Sequence, residues 1–207
     1  MVEWISIPGL TPYDKAIERM EQKLQDVING HNETIFLLTH PDIYTAGTSY
    51  NDNELRNNNN NIPIIYTGRG GKFTYHGPGQ RVIYPILNLN NANRIADIKL
   101  YVRNLEQWII NSLAQLKLNA YTIKGMVGIW VLHNNTHAKI AAIGVRVKKW
   151  VTYHGIAVNV TTNLENYSGI IPCGIDNFPV TSLKELGIKI SLHDFDSILQ
   201  AEFKKIF

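Results

Sequence analysis

Ala138-Lys139-Ile140-Ala141-Ala142-Ile143-Gly144-Val145-Arg146-Val147 and, two residues further on, Trp150-Val151-Thr152-Tyr153-His154-Gly155-Ile156-Ala157-Val158-Asn159-Val160 are two extended stretches set almost end to end. Both are rich in the β-branched and aromatic residues that pack well on a pleated surface. Tyr121 to Leu132 precedes them as a third, and Asn134-Asn135 in between has the composition of a hairpin turn. Thr34 to Thr39, Ile62 to Tyr66 and Arg81 to Leu87 are further strand candidates. Helical signals surround this block. Thr11 as N-cap, Pro12 at the first helical position and Asp14 open a stretch in which Ile17, Met20, Leu24, Val27 and Ile28 recur at helical spacing as far as Gly30. The longest periodic stretch begins near Asp97 and carries Ile98, Tyr101, Val102, Leu105, Trp108, Ile109, Leu113 and Leu116 on one face. Short helices are expected from Ser182 to Leu186, stopped by Gly187, and from about His193 to the end. Strands in the middle with helices before, between and after them predict an α+β or mixed α/β fold, a single sheet domain with flanking helices.

At 207 residues the chain suits one well-buried core, so one domain over 1–207 is expected. An apolar share of 44% with 18% charged residues is that of a soluble globular protein. The net charge of +3 fits an acidic protein partner and falls far short of a nucleic-acid-binding signature. The N-terminus has an early acid and no continuous apolar run, which argues against a signal peptide or a membrane span. A single cysteine allows no internal disulfide and points to a reducing compartment, most simply the cytoplasm. Asn57 to Asn61 reads as a solvated loop insertion.

The densest chemical signal is Arg69-Gly70-Gly71-Lys72-Phe73-Thr74-Tyr75-His76-Gly77-Pro78-Gly79-Gln80. Its glycines permit tight turns and close approach of a ligand, and the polar residues among them suit a pocket wall; a plain glycine-rich connection is the alternative. The stretch lacks the Gly-Lys-Ser/Thr ending of a phosphate loop. Cys173, within Ile171-Pro172-Cys173-Gly174-Ile175, is read either as a small buried hydrophobe or as a nucleophile. In the second reading Pro172 stiffens the approach, Gly174 leaves room for an acyl group, and neighbouring N–H groups face a developing oxyanion. On a regular strand Lys139 falls in phase with Ala141, Ile143, Val145 and Val147. If that face is internal the amine is buried and can exchange protons near neutrality; otherwise the ammonium reaches water. Gly155 inside a strand marks a bulge or a surface that another molecule approaches, and His154 beside it reads as structural or supporting. Lys72, Arg81, Arg146, Lys148 and Lys149 gather in or beside these segments as a basic face for an acidic partner.

Taken together, Arg-Gly-Gly-x-x-Thr-Tyr-His-Gly-Pro-Gly-Gln, Lys-Ile-Ala-x-Ile-Gly, His-Gly-Ile-Ala-Val-Asn-Val and Pro-Cys-Gly-Ile, in this order, resemble the octanoyltransferase family, also called lipoate-protein ligase B. The likeness runs from about Gly47 to Thr181; the asparagine run is an insertion, and Asn88 stands where the family often has Asp. The resemblance implies the mixed α/β fold shared with biotin and lipoate protein ligases, of class II synthetase type. It also implies an acyltransferase that moves an octanoyl or lipoyl group from acyl carrier protein, through a thioester on Cys173, to a lysine of a lipoyl domain, the first step of endogenous protein lipoylation. Lys139 then lowers the thiol pKa. Substrate would be held by Arg69, Gly70, Gly71, Lys72, Phe73, Thr74, Tyr75 and His76, by Ala142, Ile143 and Gly144, and by Gly155, Ile156 and Ala157, with His154 and Gly174 in support. No cofactor, metal, nucleic acid or membrane is implied. The implied acceptors are lipoyl domains of 2-oxoacid dehydrogenases and the glycine cleavage H protein. The alternatives are an ATP-dependent lipoate or biotin ligase on the same fold, which needs no cysteine, a hydrolase pairing Cys173 with His76 or His154, and an inert lipoyl-domain-binding module.

Overall fold

The hairpin at Asn134-Asn135 forms, and both asparagines take left-handed backbone, with φ of 49° and 58°, as a two-residue connection matched to strand twist requires. In a computed structural model that describes residues 2–56, 61–171 and 178–207, this turn joins β8 (Met126–His133) to β9 (Thr136–Lys148). β9 pairs antiparallel with β10 (Val151–Asn159), from Lys148 opposite Val151 to Ala141 opposite Val158. The sheet grows outward through β6 (Gln80–Ile86), β2 (Glu33–Thr39) and β1 (Val2–Leu10) on one side and β7 (Ala120–Ile123) on the other. Its order is β1-β2-β6-β10-β9-β8-β7, antiparallel except at the β1–β2 edge. A second, three-stranded sheet has β3 (Ile43–Ala46) between β4 (Ile64–Tyr66) and β5 (Phe73–His76). The fold is thus mixed α/β as expected, with this smaller sheet added.

The helices cover the large sheet on both faces. α1 (Tyr13–Ile28) buries Ala16, Met20, Leu24 and Val27 against Phe36, Leu38, Val82 and Tyr84. α2 (Ile98–Ala114) and α3 (Leu192–Phe203) bury Leu105, Trp108, Leu113, Phe195 and Leu199 on the opposite face. Asp97 caps α2, its Oδ1 accepting from the N–H groups of Lys99 at 2.8 Å and Leu100 at 3.0 Å. The start of α1 differs from expectation. Thr11 donates its N–H to Thr39 O at 2.8 Å and so belongs to the sheet's end, leaving Pro12 at the cap position without a side-chain cap. Ser182 to Leu186 makes one turn, with Leu186 N–H on Ser182 O at 3.1 Å, and Gly187 ends it at φ 77°. The long extended stretch after Tyr121 is two strands, folded back at Gly125, where φ is 84°. No helix among the described residues is long and apolar enough to cross a membrane.

One buried ion pair ties α3 to the sheet centre. Arg81 Nε lies 2.8 Å from Asp196 Oδ1, with both residues almost wholly buried. Burial acts against both charges, lowering the pKa of Arg81 and raising that of Asp196. Such a pair adds little net stability, yet removing one partner strands the other charge. Asp196→Ala should therefore lower the unfolding free energy by about 3–5 kcal/mol, whereas the double replacement Arg81→Met with Asp196→Leu should recover most of that loss. Urea denaturation of the three proteins checks this, and equal losses for single and double variants would contradict it.

Candidate active site

Thr74 and His76 on β5 face the β9–β10 hairpin, while Phe73 and Tyr75 face away, as strand alternation requires. The gap between β5 and the hairpin is a cavity of about 450 Å³ of atom-free space, open mouth included. Of the expected binding residues, Arg69, Gly71, Lys72, Thr74, His76, Ala142, Ile143, Gly144, Gly155, Ile156 and Ala157 border it, and His154 joins them. Ala142, Gly144 and Ala157 keep its floor low, while Gly155 lets β10 approach β6, since a Cβ there would collide with Ile83 O. Phe73 and Tyr75 do not border it. They pack with Tyr44, Tyr167 and Ile170 in the core of the small sheet, where the Tyr75 hydroxyl meets Asp42 and Asn166. Gly70 is a tether: its N–H donates to Val145 O at 3.0 Å, and a Cβ added at Gly144 would stand 2.9 Å from Gly70 O. Tyr13, Val82 and Tyr84 complete the wall, and no local sequence signal distinguishes them from core residues.

The charged groups of the glycine-rich loop are largely engaged by the protein. Arg69 is buried, and its guanidinium donates to Thr45 Oγ1 at 2.8 Å, Gly70 O at 3.0 Å and Lys72 O at 2.8 Å. It folds the loop onto β3. Lys72 is ion-paired with Glu54. Arg81, expected on a basic face, is instead the buried partner of Asp196; in β6 its side chain points to the α3 side. What remains of that face is the hairpin end, where Arg146 sits 5.6 Å from the Tyr153 ring and Lys148 and Lys149 are exposed.

The cavity's histidines are held neutral. Burial lowers His154 to about 3, helped by Arg69 and Arg146, and His76 falls well below its ordinary value through burial, His40 and Arg69. Behind them His40, lowered by burial to about 4, bonds Thr11 O at 2.8 Å and Tyr84 Oη at 2.9 Å. Thr11 O can only accept, so His40 Nδ1 carries the proton and Tyr84 donates to Nε2. His154 holds left-handed backbone, φ 58°, and its buried Nδ1 has no hydrogen-bond partner among the described residues. An unpaired polar atom in a strained residue at a cavity wall is a common mark of a ligand site. Among the described residues no group of three or more His, Cys, Asp or Glu is arranged to hold a metal ion.

Of the two readings of Lys139 the structure takes the buried one, at 5% exposure, but on the other face of its strand. The β8–β9 register shifts between Ile129 opposite Ala141 and Trp130 opposite Lys139, leaving Ile140 as an extra residue. This bulge breaks the alternation, so Ile140 and Ala141 both join the core under α2. Lys139 instead borders a smaller cavity with Thr74, Ala142, Asn159, Tyr167 and Val180. Its Nζ lies 5.2 Å from the Trp130 ring centre. Gly128 makes room for it, since a Cβ there would stand 2.4 Å from Lys139 Cε. Thr74 and Ala142 border both cavities, which joins the lysine's surroundings to the larger one. The Lys139 N–H donates to Pro179 O and its carbonyl accepts from Thr181 N–H, each at 2.9 Å. On the other side of the 172–177 segment, Ile171 N–H donates to Glu54 O at 2.7 Å. Cys173 and Gly174 themselves lie outside the described residues, as do residues 57–60 of the asparagine run.

Residues 12–204 match the family model of the lipoyl protein ligase A/B catalytic domain. Octanoyltransferases of Rickettsia rickettsii and Rickettsia bellii are 56% and 58% identical to this chain, with 100% of each chain covered. A solved lipoate protein ligase from Thermoplasma acidophilum superposes with a TM-score of 0.75 at 17% identity, covering 100% of this chain and 84% of its own; at that identity the likeness concerns the fold. The chain therefore belongs to the lipoyl protein ligase A/B catalytic-domain family and, within it, to the octanoyltransferases.

Proposed function

We propose that this chain transfers an octanoyl group from acyl carrier protein to a lysine of a lipoyl domain, with Cys173 as the thioester carrier and Lys139 as its proton partner. The observation that carries this reading is the pairing of Lys139 with residues 179–181, the stretch that follows the Cys173 segment, beside the cavity that the glycine-rich loop and the β9–β10 hairpin enclose. In the first half-reaction the Cys173 thiolate attacks the donor carbonyl. A C–S bond forms to Cys173, the C–S bond to the carrier breaks, and the departing thiolate takes a proton from the Lys139 ammonium. In the second, the neutral amine of the acceptor attacks the enzyme thioester, its C–N bond forms as the C–S bond breaks, and the proton it sheds returns to Lys139. One thioester is exchanged for another and then for a more stable amide, so the cycle needs no ATP. Family membership among octanoyltransferases supports the octanoyl donor. The lipoyl domains of 2-oxoacid dehydrogenases and the glycine cleavage H protein are the proposed acceptors. The exposure of Lys148 and Lys149 on the hairpin end supports an acidic carrier as the donor.

Two variants test the assigned roles. Cys173→Ser should abolish carrier-dependent transfer to a lipoyl domain while leaving the thermal midpoint within a few degrees; undiminished turnover would sink the assignment. Lys139→Met should raise the thiol pKa by removing a nearby positive charge, so alkylation of Cys173 at pH 7 should slow several-fold and recover at alkaline pH. A pH profile of alkylation that superposes on that of the unaltered protein would show that the lysine is not coupled to the thiol.

A further inference from the structure

Two backbone carbonyls, which can only accept hydrogen bonds, fix the orientation of a buried amide chain behind the larger cavity. Thr181 O accepts from Asn159 Nδ2 at 3.0 Å. Asn159 Oδ1 is therefore the end that faces Gln80, whose Nε2 lies 2.9 Å away. Tyr75 O accepts from the same Gln80 nitrogen at 3.1 Å, so the amide's orientation is determined twice over. Gln80 Oε1 is then the atom 2.7 Å from His76 Nδ1. An amide oxygen has no hydrogen to give, so Nδ1 must carry one and Nε2 keeps its lone pair. Gln80 is wholly buried and Asn159 is 3% exposed, so bulk water does not compete for these bonds.

His76 lines the cavity, and no described residue is hydrogen-bonded to its Nε2. Thr74, on the same face of β5 two residues earlier, borders both cavities. An alkyl chain has nothing to offer such a lone pair; an N–H group does. We infer that Gln80 is a positioning residue that locks His76 in the Nδ1–H tautomer, so that Nε2 accepts a hydrogen bond from an N–H of the bound substrate. This rests on the acyl-transfer reading, which supplies two sources of that N–H: the acceptor amine and the amide-bearing thioester arm of the carrier. Burial holds the imidazole well below its ordinary pKa, which favours the neutral ring. Its task is orientation.

The tautomer can be read without turnover, from two-bond 1H–15N correlations of His76 in the full-length protein at pH 7. The Nδ1–H pattern is expected; an Nε2–H pattern or an imidazolium overturns the inference. Gln80→Leu, which removes the acceptor at Nδ1, should lose the pattern. Kinetics then separate the two sources. Acylation of Cys173 by octanoyl carrier protein and deacylation of the acyl-enzyme by a lipoyl domain are timed separately. Gln80→Leu should slow one of them about tenfold, the worth of one oriented hydrogen bond. The slowed step identifies the N–H that His76 holds. If Gln80→Leu does not fold, His76→Phe, which keeps the ring and removes Nε2, should slow the same single step. Unchanged rates in both steps, despite a lost tautomer, would overturn the inference. Failure of the unaltered protein to acylate Cys173 at all would count instead against the acyl-transfer reading.

Discussion

The site depends on a change of neighbour along β9. β10 pairs with β9 only as far as Val158 opposite Ala141. Beyond that point residues 179–181 take its place, in parallel, bonded to both sides of Lys139. A chain segment that would otherwise be a surface loop is thereby built into the sheet where the bulge at Ile140 turns Lys139 out of the core. The two irregularities work together. Without the bulge, regular alternation would put the Lys139 side chain on the apolar face with Ala141, where an ammonium is costly to bury.

Around this junction the protein exchanges packing for room. Ala142, Gly144 and Ala157 leave a low apolar floor, while Arg69, which sequence alone would offer to a ligand, holds the loop against β3. The guanidinium still matters electrostatically, because it helps keep His76 and His154 uncharged. The histidines of the wall are thus neutral, while the charges of Arg69 and Lys72, which also border the cavity, are engaged by Thr45, the loop carbonyls and Glu54.

Much of this was legible in the sequence, and the gaps have physical causes. β6, β9 and β10 were readable because central strands carry continuous apolar runs. β5 was hidden inside the glycine-rich stretch because its four residues share their signal with the turns on either side. β1 is an edge strand interrupted by Pro8 and Gly9, and β3 is only four residues long, so neither shows a period. The expected substrate-binding residues converge on one cavity, except Gly70, Phe73 and Tyr75, whose proximity in sequence reflects the folding of the wall. The face of Lys139 was misjudged because a bulge adds a residue that no local pattern announces. Likewise Arg81 is basic in sequence and buried in the fold because its partner, Asp196, lies on a distant helix.

The central claim is that the acyl group rides on Cys173 between donor and acceptor. An intact mass spectrum of the unaltered protein, taken after mixing with octanoyl carrier protein in the absence of ATP and again after adding a lipoyl domain, tests it most directly. The account predicts that one octanoyl group is gained, that peptide mapping places it on Cys173, and that it then passes to the lipoyl domain. An unmodified enzyme mass with octanoylated lipoyl domain accumulating, or transfer that appears only with free octanoate and ATP, would contradict it.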